Sequence, residues 1–487
     1  MNRPFARVPL VAAAIVAGAI AAGCGVKHAY VAPTPSVPAA WNGIAPRPAE
    51  GGEEALAAWW SAFGDPQLTS FVTRAVAGNL DVRNALSRVR EARASMRATR
   101  GALQPSVDAS ASARVSGTGN QAVAGASAPG AAAGFDGISR TYSLGLDASW
   151  ELDLFGGIQS GVDAAAATAD ARAADLQDVL VSLAAEVALD YIDVRSAQQR
   201  LEIARSNVGL QEQTLDLTRL RQQAGLGTDL EVQQALSSVE TTRAQIASLE
   251  AGVERAVHAL SVLLGQAPRA LAEELAAPGP IPSAPLSVAV GVPADAIRRR
   301  PDVRGAERQL AAQAAQVNVA RADLYPTFRL AGSIGLESLS IAKVLLPGAN
   351  FWSASPSAST RLFNRRQLRE NLVVQGERQT QAAVTYELRV LGALQDVEDS
   401  LTSLTQEDVR RGHLSAAADA AQQAADLSLQ LYTAGLRDFR DVLDNQRSLL
   451  TLQDSLVTST ASVSTDLVRL YKALGGGWTT AQMAPTE

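Results

Sequence analysis

The run Ser106-Val107-Asp108-Ala109-Ser110-Ala111-Ser112-Ala113-Arg114-Val115 decides the fold, because small or apolar residues alternate strictly with polar ones along it. A period of two is that of a β-strand with unlike faces, and about ten residues is the length a tilted strand needs to cross a bilayer. Three more segments repeat the pattern. Tyr142, Leu144, Leu146, Ala148 and Trp150 alternate with Ser143, Gly145, Asp147 and Ser149. Phe328, Leu330, Ile334 and Leu336 alternate with Thr327, Arg329, Ser333 and Glu337. Trp352, Ala354, Ala358 and Leu362 alternate with Ser353, Ser355, Ser357, Ser359 and Arg361. Tyr142 and Trp150 end their apolar face, where a membrane barrel carries its aromatic girdle. A soluble sandwich would alternate too, but the polar face is rich in serine and charge, and the chain offers no other strands for a second sheet. Four strands cannot close a barrel, and an open edge cannot face lipid, so several chains must share one barrel. Physics requires two or more chains without fixing the number.

Outside the strands the pattern becomes helical. Leu180, Val187, Val194, Leu201, Val208 and Leu215 are spaced by sevens, as are Val232, Val239, Ile246, Val253 and Leu260, and Val442, Leu449, Leu456, Val463 and Leu470. A strict heptad predicts left-handed coiled coil. The first of these helices has a second stripe, Leu189, Ile203, Leu210 and Leu217, so it should touch neighbours on two sides, as a stave does in a wall. Sixty residues of helix span ~90 Å at 1.5 Å per residue, which suits a long tube better than a compact bundle.

The chain is also a duplication. Asp81-Val82-Arg83 recurs as Asp302-Val303-Arg304, and Ala224-Gly225-Leu226 as Ala434-Gly435-Leu436. Each copy reads helix, strand, loop, strand, long helix, tight turn, long helix. The copies are placed at 70–265 and 298–475, joined by a proline-rich linker at 266–297 and followed by a tail at 476–487.

The remaining composition excludes more than it asserts. The 487 residues carry 43 Lys+Arg and 49 Asp+Glu, a net charge of −6, which shows no bias toward nucleic acid. Aromatics make up 5% against 47% hydrophobic residues, which fits thin-walled helical packing. One cysteine forbids an internal disulfide or a cysteine metal cluster, and His28, His258 and His413 offer no ligand pair of metal-binding spacing. No nucleophile elbow or phosphate loop is present, so the chain is read as no enzyme, without cofactor or metal.

At the start, Arg3 and Arg7 precede the apolar run Val8 to Ala22, the size of a secretory h-region, giving a signal peptide at 1–23. Cys24 follows small residues in Ala21-Ala22-Gly23-Cys24. This resembles a bacterial lipobox, in which the cysteine is acylated and becomes the new N-terminus. A lipidated N-terminal segment would then occupy 24–69.

Several longer motifs carry a family resemblance: Trp59-Trp60 with Phe63-Gly64-Asp65-Pro66, Ser149-Trp150-Glu151-Leu152-Asp153-Leu154-Phe155-Gly156, Arg299-Arg300-Pro301-Asp302-Val303-Arg304, Asp441-Val442-Leu443-Asp444, and Tyr471-Lys472-Ala473-Leu474-Gly475-Gly476-Gly477-Trp478. With these the chain resembles the TolC-like outer membrane efflux proteins, in particular the lipoprotein branch of OprM or NodT type. The resemblance implies an α+β membrane protein. A homotrimer would share a transmembrane β-barrel in the outer membrane, four strands per chain, continued by a long α-helical coiled-coil tunnel across the periplasm. Its partners would be outer membrane lipid, a periplasmic adaptor and an inner-membrane efflux pump. Where the family often has Pro-Leu-Phe-Asp-Gly-Gly after the last strand, this chain has Arg361-Leu362-Phe363-Asn364-Arg365-Arg366.

The two turns between long helices differ in chemistry. The second holds Tyr432, Arg437, Asp441, Asp444 and Arg447; at the same places the first holds Gln222, Gly227, Glu231, Gln234 and Ser237. The second set resembles the family's periplasmic gate, in which tyrosine, arginine and aspartates hold the tunnel shut. Independently of that, Asp441 and Asp444 share a helix face, and rotational symmetry would gather them into carboxylate rings that favour cations, pinned by Arg437 or Arg447 of a neighbouring helix. Asp438 and Asp441 could equally serve as a helix N-cap and first-turn acid, and both roles can hold. The rival to an exit duct is a structural or adhesive coiled-coil lipoprotein, which would conduct no ions.

Overall fold

The computed structural model describes residues 28–34, 37–41, 56–117, 138–286, 293–346 and 348–478. Cys24 and the expected signal peptide lie outside the described residues. The chain divides into two compact units: Met1–Pro33, Arg90–Asp170 and Glu307–Val384 form one, and Thr34–Val89, Ala171–Ala306 and Thr385–Glu487 the other.

The first unit is built around one sheet. Strands β1 (Ser106–Gly117), β2 (Ile138–Leu152), β3 (Thr327–Ser338) and β4 (Asn350–Ser359) lie in the order β1-β2-β3-β4, each antiparallel to the next. Register carries the alternation across the sheet. Ala109, Leu146, Ile334 and Trp352 stand in one row on the apolar face. Leu146 is 48% exposed, Ile334 62% and Trp352 78%, so no described residue covers this face. Opposite lie hydroxyl pairs that bridge the strands: Ser106 with Ser149 at 2.9 Å, Ser112 with Ser143 at 2.8 Å, Ser333 with Ser353 at 2.7 Å and Thr327 with Ser359 at 2.8 Å. Arg329 pairs with Glu151 on the same face at 3.1 Å. Trp150 donates from Nε1 to the carbonyl of Leu103 at 3.1 Å, fixing the turn that feeds β1. One detail departs from expectation. The fourth strand ends at Ser359 rather than running to Leu362, because Ser359 already pairs with Thr327, the first residue of β3. Phe351 falls on the polar face, opposite Gly335.

In chain order the helices are α1 (Pro66–Gly78), α2 (Leu80–Gly101), α3 (Gly157–Gln223), α4 (Asp229–Leu263), α5 (Pro293–Arg299), α6 (Pro301–Ala322), α7 (Arg365–Thr433) and α8 (Phe439–Ala473). α3 and α7 have 67 and 69 residues and contribute to both units, while α4 and α8 have 35 each. None is long and apolar enough to cross a membrane.

The core of the second unit is the heptad core foreseen from the sequence. Val187, Val194, Leu260 and Leu470 of the heptads are fully buried, together with Val468, Phe71, Tyr191 and Leu271, which lie outside them. Of the second stripe on α3, Leu189 and Ile203 pack against this core, whereas Leu210 is 40% exposed. Trp59, 1% exposed, stacks on Tyr471 at 5.3 Å, and each fully buried aromatic contributes a large apolar area to a core otherwise made of small side chains. Arg300 holds the end of α8: it donates to the carbonyl of Ala473 at 3.1 Å and to carboxylate oxygens of Asp302 and Asp396 at 2.8 and 2.9 Å. Burial opposes ionisation of Asp302, but the hydrogen bonds and charge of Arg300 outweigh it and hold its carboxyl below the usual range. The proline-rich segment is no free spacer. Leu271 and Leu275 are buried to 0% and 1%, Arg195 and Gln198 donate to the carbonyls of Ala277 and Leu275, and α5 begins inside the span expected as linker.

Candidate functional site at the two hairpin turns

Both long-helix hairpins turn by the same backbone device. Gly225 and Gly435 each take φ 74°, in the left-handed region where a side chain would be strained. The amide of Leu226 then reaches back to the carbonyl of Arg221 at 2.8 Å, and that of Leu436 to the carbonyl of Leu431 at 2.9 Å, the i to i−5 bond that satisfies a helix C-terminus. Leu226 and Leu436, both strongly exposed, follow the glycines.

Past the glycines the turns diverge. The first starts α4 with a full capping box: Thr228 Oγ1 accepts from the amide of Glu231 at 3.4 Å, and the Glu231 carboxylate accepts from the amide of Thr228 at 3.2 Å. Gly227 makes room for this, since a Cβ there would lie 2.9 Å from Glu231 Oε2. In the second turn Asp438 stands at the N-cap of α8, yet its side chain accepts no capping hydrogen bond. The capping bond considered for Asp438 is therefore absent, whereas Asp441 does stand as an acid in the first turn of α8. Asp441 also faces Arg437 at 3.5 Å, and Asp444 faces Arg440 at 3.9 Å. All four side chains are 45–87% exposed, and Arg447 is exposed on the same helix without an ion pair among the described residues. Exposed i,i+4 pairs contribute only ~0.3–0.5 kcal/mol, so these charges are free to exchange partners.

Tyr432 behaves differently from the other expected site residues. It is 3% exposed, packed on Phe439 at 5.3 Å within a small cluster that includes Leu215, Val239, Val442 and Leu443. Arg221, at the end of α3, lies 4.6 Å over its ring and donates to the carbonyls of Tyr432 and Thr433, both at 3.2 Å. Burial, with the Glu231 carboxylate adding to it, pushes the phenol above its ordinary value. Its hydroxyl is buried without a hydrogen bond of normal geometry. The structure thus pairs Arg437 with Asp441, leaves Asp444 and Arg447 exposed farther along α8, and buries Tyr432, which ties the second turn to the first. Sequence reasoning missed Arg221, because the duplication places Leu431 at its counterpart and no local pattern links Arg221 to Tyr432. It also missed Arg440, although the i,i+4 spacing to Asp444 was legible.

Comparison with known proteins gives the family. The profile of the family described as outer membrane efflux protein matches residues 71–266 and 292–476. The chain belongs to that family. This outer membrane efflux protein is 31% identical to nodulation protein T of Rhizobium leguminosarum bv. trifolii over 94% of its own length and 95% of the relative's. It is 32% identical to the pyoverdine export outer membrane protein OpmQ of Pseudomonas aeruginosa over 96% of both chains. Among solved structures, the outer-membrane channel OprN superposes with a TM-score of 0.86 at 33% identity, covering 93% of this chain and 100% of the other. The protein is thus an outer membrane component of efflux, with the mostly helical fold and four-stranded sheet of that family.

Among the described residues no group of three or more histidine, cysteine or acidic side chains is placed to hold a metal ion. His258 does have a carboxylate one turn away, Glu254 at 3.6 Å, which the sequence reading discounted; a single such contact makes no metal site.

Proposed function

We propose that this outer membrane efflux protein is the passive exit duct of a tripartite system. Three chains contribute four strands each to one twelve-stranded barrel in the outer membrane, and their long helices form the tunnel through the periplasm. A periplasmic adaptor and an inner-membrane efflux pump deliver small-molecule cargo and supply the energy. The observation that carries this reading is the sheet: four antiparallel strands, apolar and uncovered on one face, hydroxyl-lined on the other, with β1 and β4 left as unpaired edges. In lipid such edges require partners. Lipidation of Cys24 adds a second anchor, and mass spectrometry of the mature N-terminus should find an acylated Cys24 there.

Within this duct the second turn acts as the gate. Asp441 and Asp444 form carboxylate rings around the axis, Arg437 and Arg447 tie neighbouring chains, and Tyr432 sets the position of the turn. The support is that the charged residues are exposed and only weakly engaged within their own chain. The test is single-channel conductance and reversal potential in planar bilayers. Wild type should be nearly closed and cation-selective; Arg437→Ser should raise the resting conductance, and Asp441→Asn with Asp444→Asn should abolish most of the selectivity. The pair within the chain is too weak to account for a large rise with Arg437→Ser, so such a rise reports ties between chains. Glu231→Gln and Gln234→Ala are the controls. If they change gating and selectivity as much as the aspartate variant does, the gate assignment fails; if wild type never conducts, the duct reading fails.

A further inference from the structure

Parity along the strands sorts every described strand residue onto one face or the other, and the polar face carries one large apolar side chain, Phe351. Its surroundings are built for it. Phe351 pairs with Gly335, and Gly335 pairs with Gly145 on the next strand, so two bare backbones lie side by side. A Cβ on Gly335 would come within 2.6 Å of the Gly145 Cα and 3.0 Å of the Phe351 ring edge, which places the ring over Gly335. Phe351 is only half-buried there, and its outer surface remains accessible.

The rim of this aromatic ledge is polar and acidic. Two residues along β2 from Gly145 stands Asp147, a step of ~7 Å on the same face. Asp147 accepts from Ser110 Oγ at 2.7 Å and lies directly opposite Asp108. Ser333 and Ser353, hydrogen-bonded to each other, complete the row between Asp147 and the strand that carries Phe351. The half-buried ring and the Asp147 carboxylate share the polar face two strands apart, about 12 Å between backbones, a span that suits a bulky cation surrounded by aromatic groups, one part stacking on the ring while its charge is drawn toward the carboxylate.

We infer that Phe351 and Asp147 form a transient binding station for aromatic cations on the inner wall of the barrel, separate from the hairpin turns. The inference rests on the exit-duct reading, since it needs the polar face to line the passage. The opposing view is that the ring only shields the paired glycines and repairs the sheet.

The experiment is block of single-channel current through the assembled full-length protein by tetraphenylphosphonium, with tetramethylammonium and tetraphenylborate as the non-aromatic and anionic comparisons. Tetraphenylphosphonium should block wild type at lower concentration than either. Phe351→Leu keeps an apolar cover over Gly335 but removes the aromatic face; it should raise the half-blocking concentration roughly threefold to tenfold. Phe351→Trp should restore the block, and Asp147→Asn should weaken it for the cation alone. Open conductance in potassium chloride and the thermal midpoint of each variant report whether the sheet is intact. Equal block of wild type and Phe351→Leu, with both conducting normally, overturns the inference, as does a wild type that conducts but is not blocked. A wild type without conductance overturns the duct reading instead.

Discussion

The turn after α3 and the turn after α7 share their glycine, their left-handed φ and their i to i−5 hydrogen bond, and differ in what their acids do. In the first, Glu231 curls back to its own helix start and completes a capping box through the space Gly227 leaves. In the second, the acid is Asp441, one methylene shorter, and Arg437 stands where the glycine was, so the carboxylate is drawn outward and the helix start goes uncapped. The comparison teaches that a duplicated backbone can be kept while its side chains are reassigned: one copy turns its carboxylate back to its own helix start, the other turns it outward to Arg437. Tyr432 and Arg221 then bind the two turns into one body.

The strongest way to break this contrast is to remove the anchor between the turns. Tyr432→Ala should destabilise the paired hairpins by ~3–5 kcal/mol, the range for a fully buried aromatic, whereas Gln222→Ala at the matching exposed place should change little. Hydrogen exchange of the amides around both turns is the measurement; equal protection in the two variants would mean the turns do not depend on the anchor.

A smaller effect tests the caps. Thr228→Ala should cost about 1 kcal/mol locally, while Asp438→Ala should cost close to nothing, because only Thr228 makes the bond. Hydrogen exchange of the first turns of α4 and α8 separates the two, and an equal loss at both would restore the capping role of Asp438.

The smallest effect lies farther along the copies, where Asp190 on α3 corresponds to Ser400 on α7. Burial, then the neighbouring Asp193 and Glu186, push the Asp190 carboxyl up to about 6 from 3.8. Between those values the folded chain holds a proton that the unfolded chain has released, so this group's contribution to stability falls as pH rises through the window and stays low above it. Asp190→Asn should therefore raise the thermal midpoint at pH 7.5 by about 2 °C and not at pH 4, with Ser400→Asn showing no such pH dependence. A gain of equal size at both pH values would place the effect in packing instead.

The alternation after Ser106 and the heptads through Val187 and Val442 were legible because period is a property of neighbours in sequence. So was the charge set of the second turn, exposed by comparing the copies. Three features were not. The Arg221 pin and the Arg300 clamp join residues 211 and 173 positions apart and leave no periodic trace. Phe351 shares the parity of Ser353 and Ser355, but its seat over Gly335 depends on the pairing of β3 with β4 and was not legible. The burial of Leu271 and Leu275 was hidden because the prolines around them announce a turn-rich segment, while the core the two leucines meet lies elsewhere in the chain.

The unpaired edges of β1 and β4 also set the order of events in the making of the protein. A lone chain entering hydrocarbon would carry two rows of unsatisfied amides and carbonyls, each costing several kcal/mol. On the proposed shared barrel that intermediate is too costly to accumulate, so association would precede or accompany insertion. The rate of appearance in the membrane then rises more steeply than the first power of chain concentration, and a shortage of copies delays delivery of every one of them.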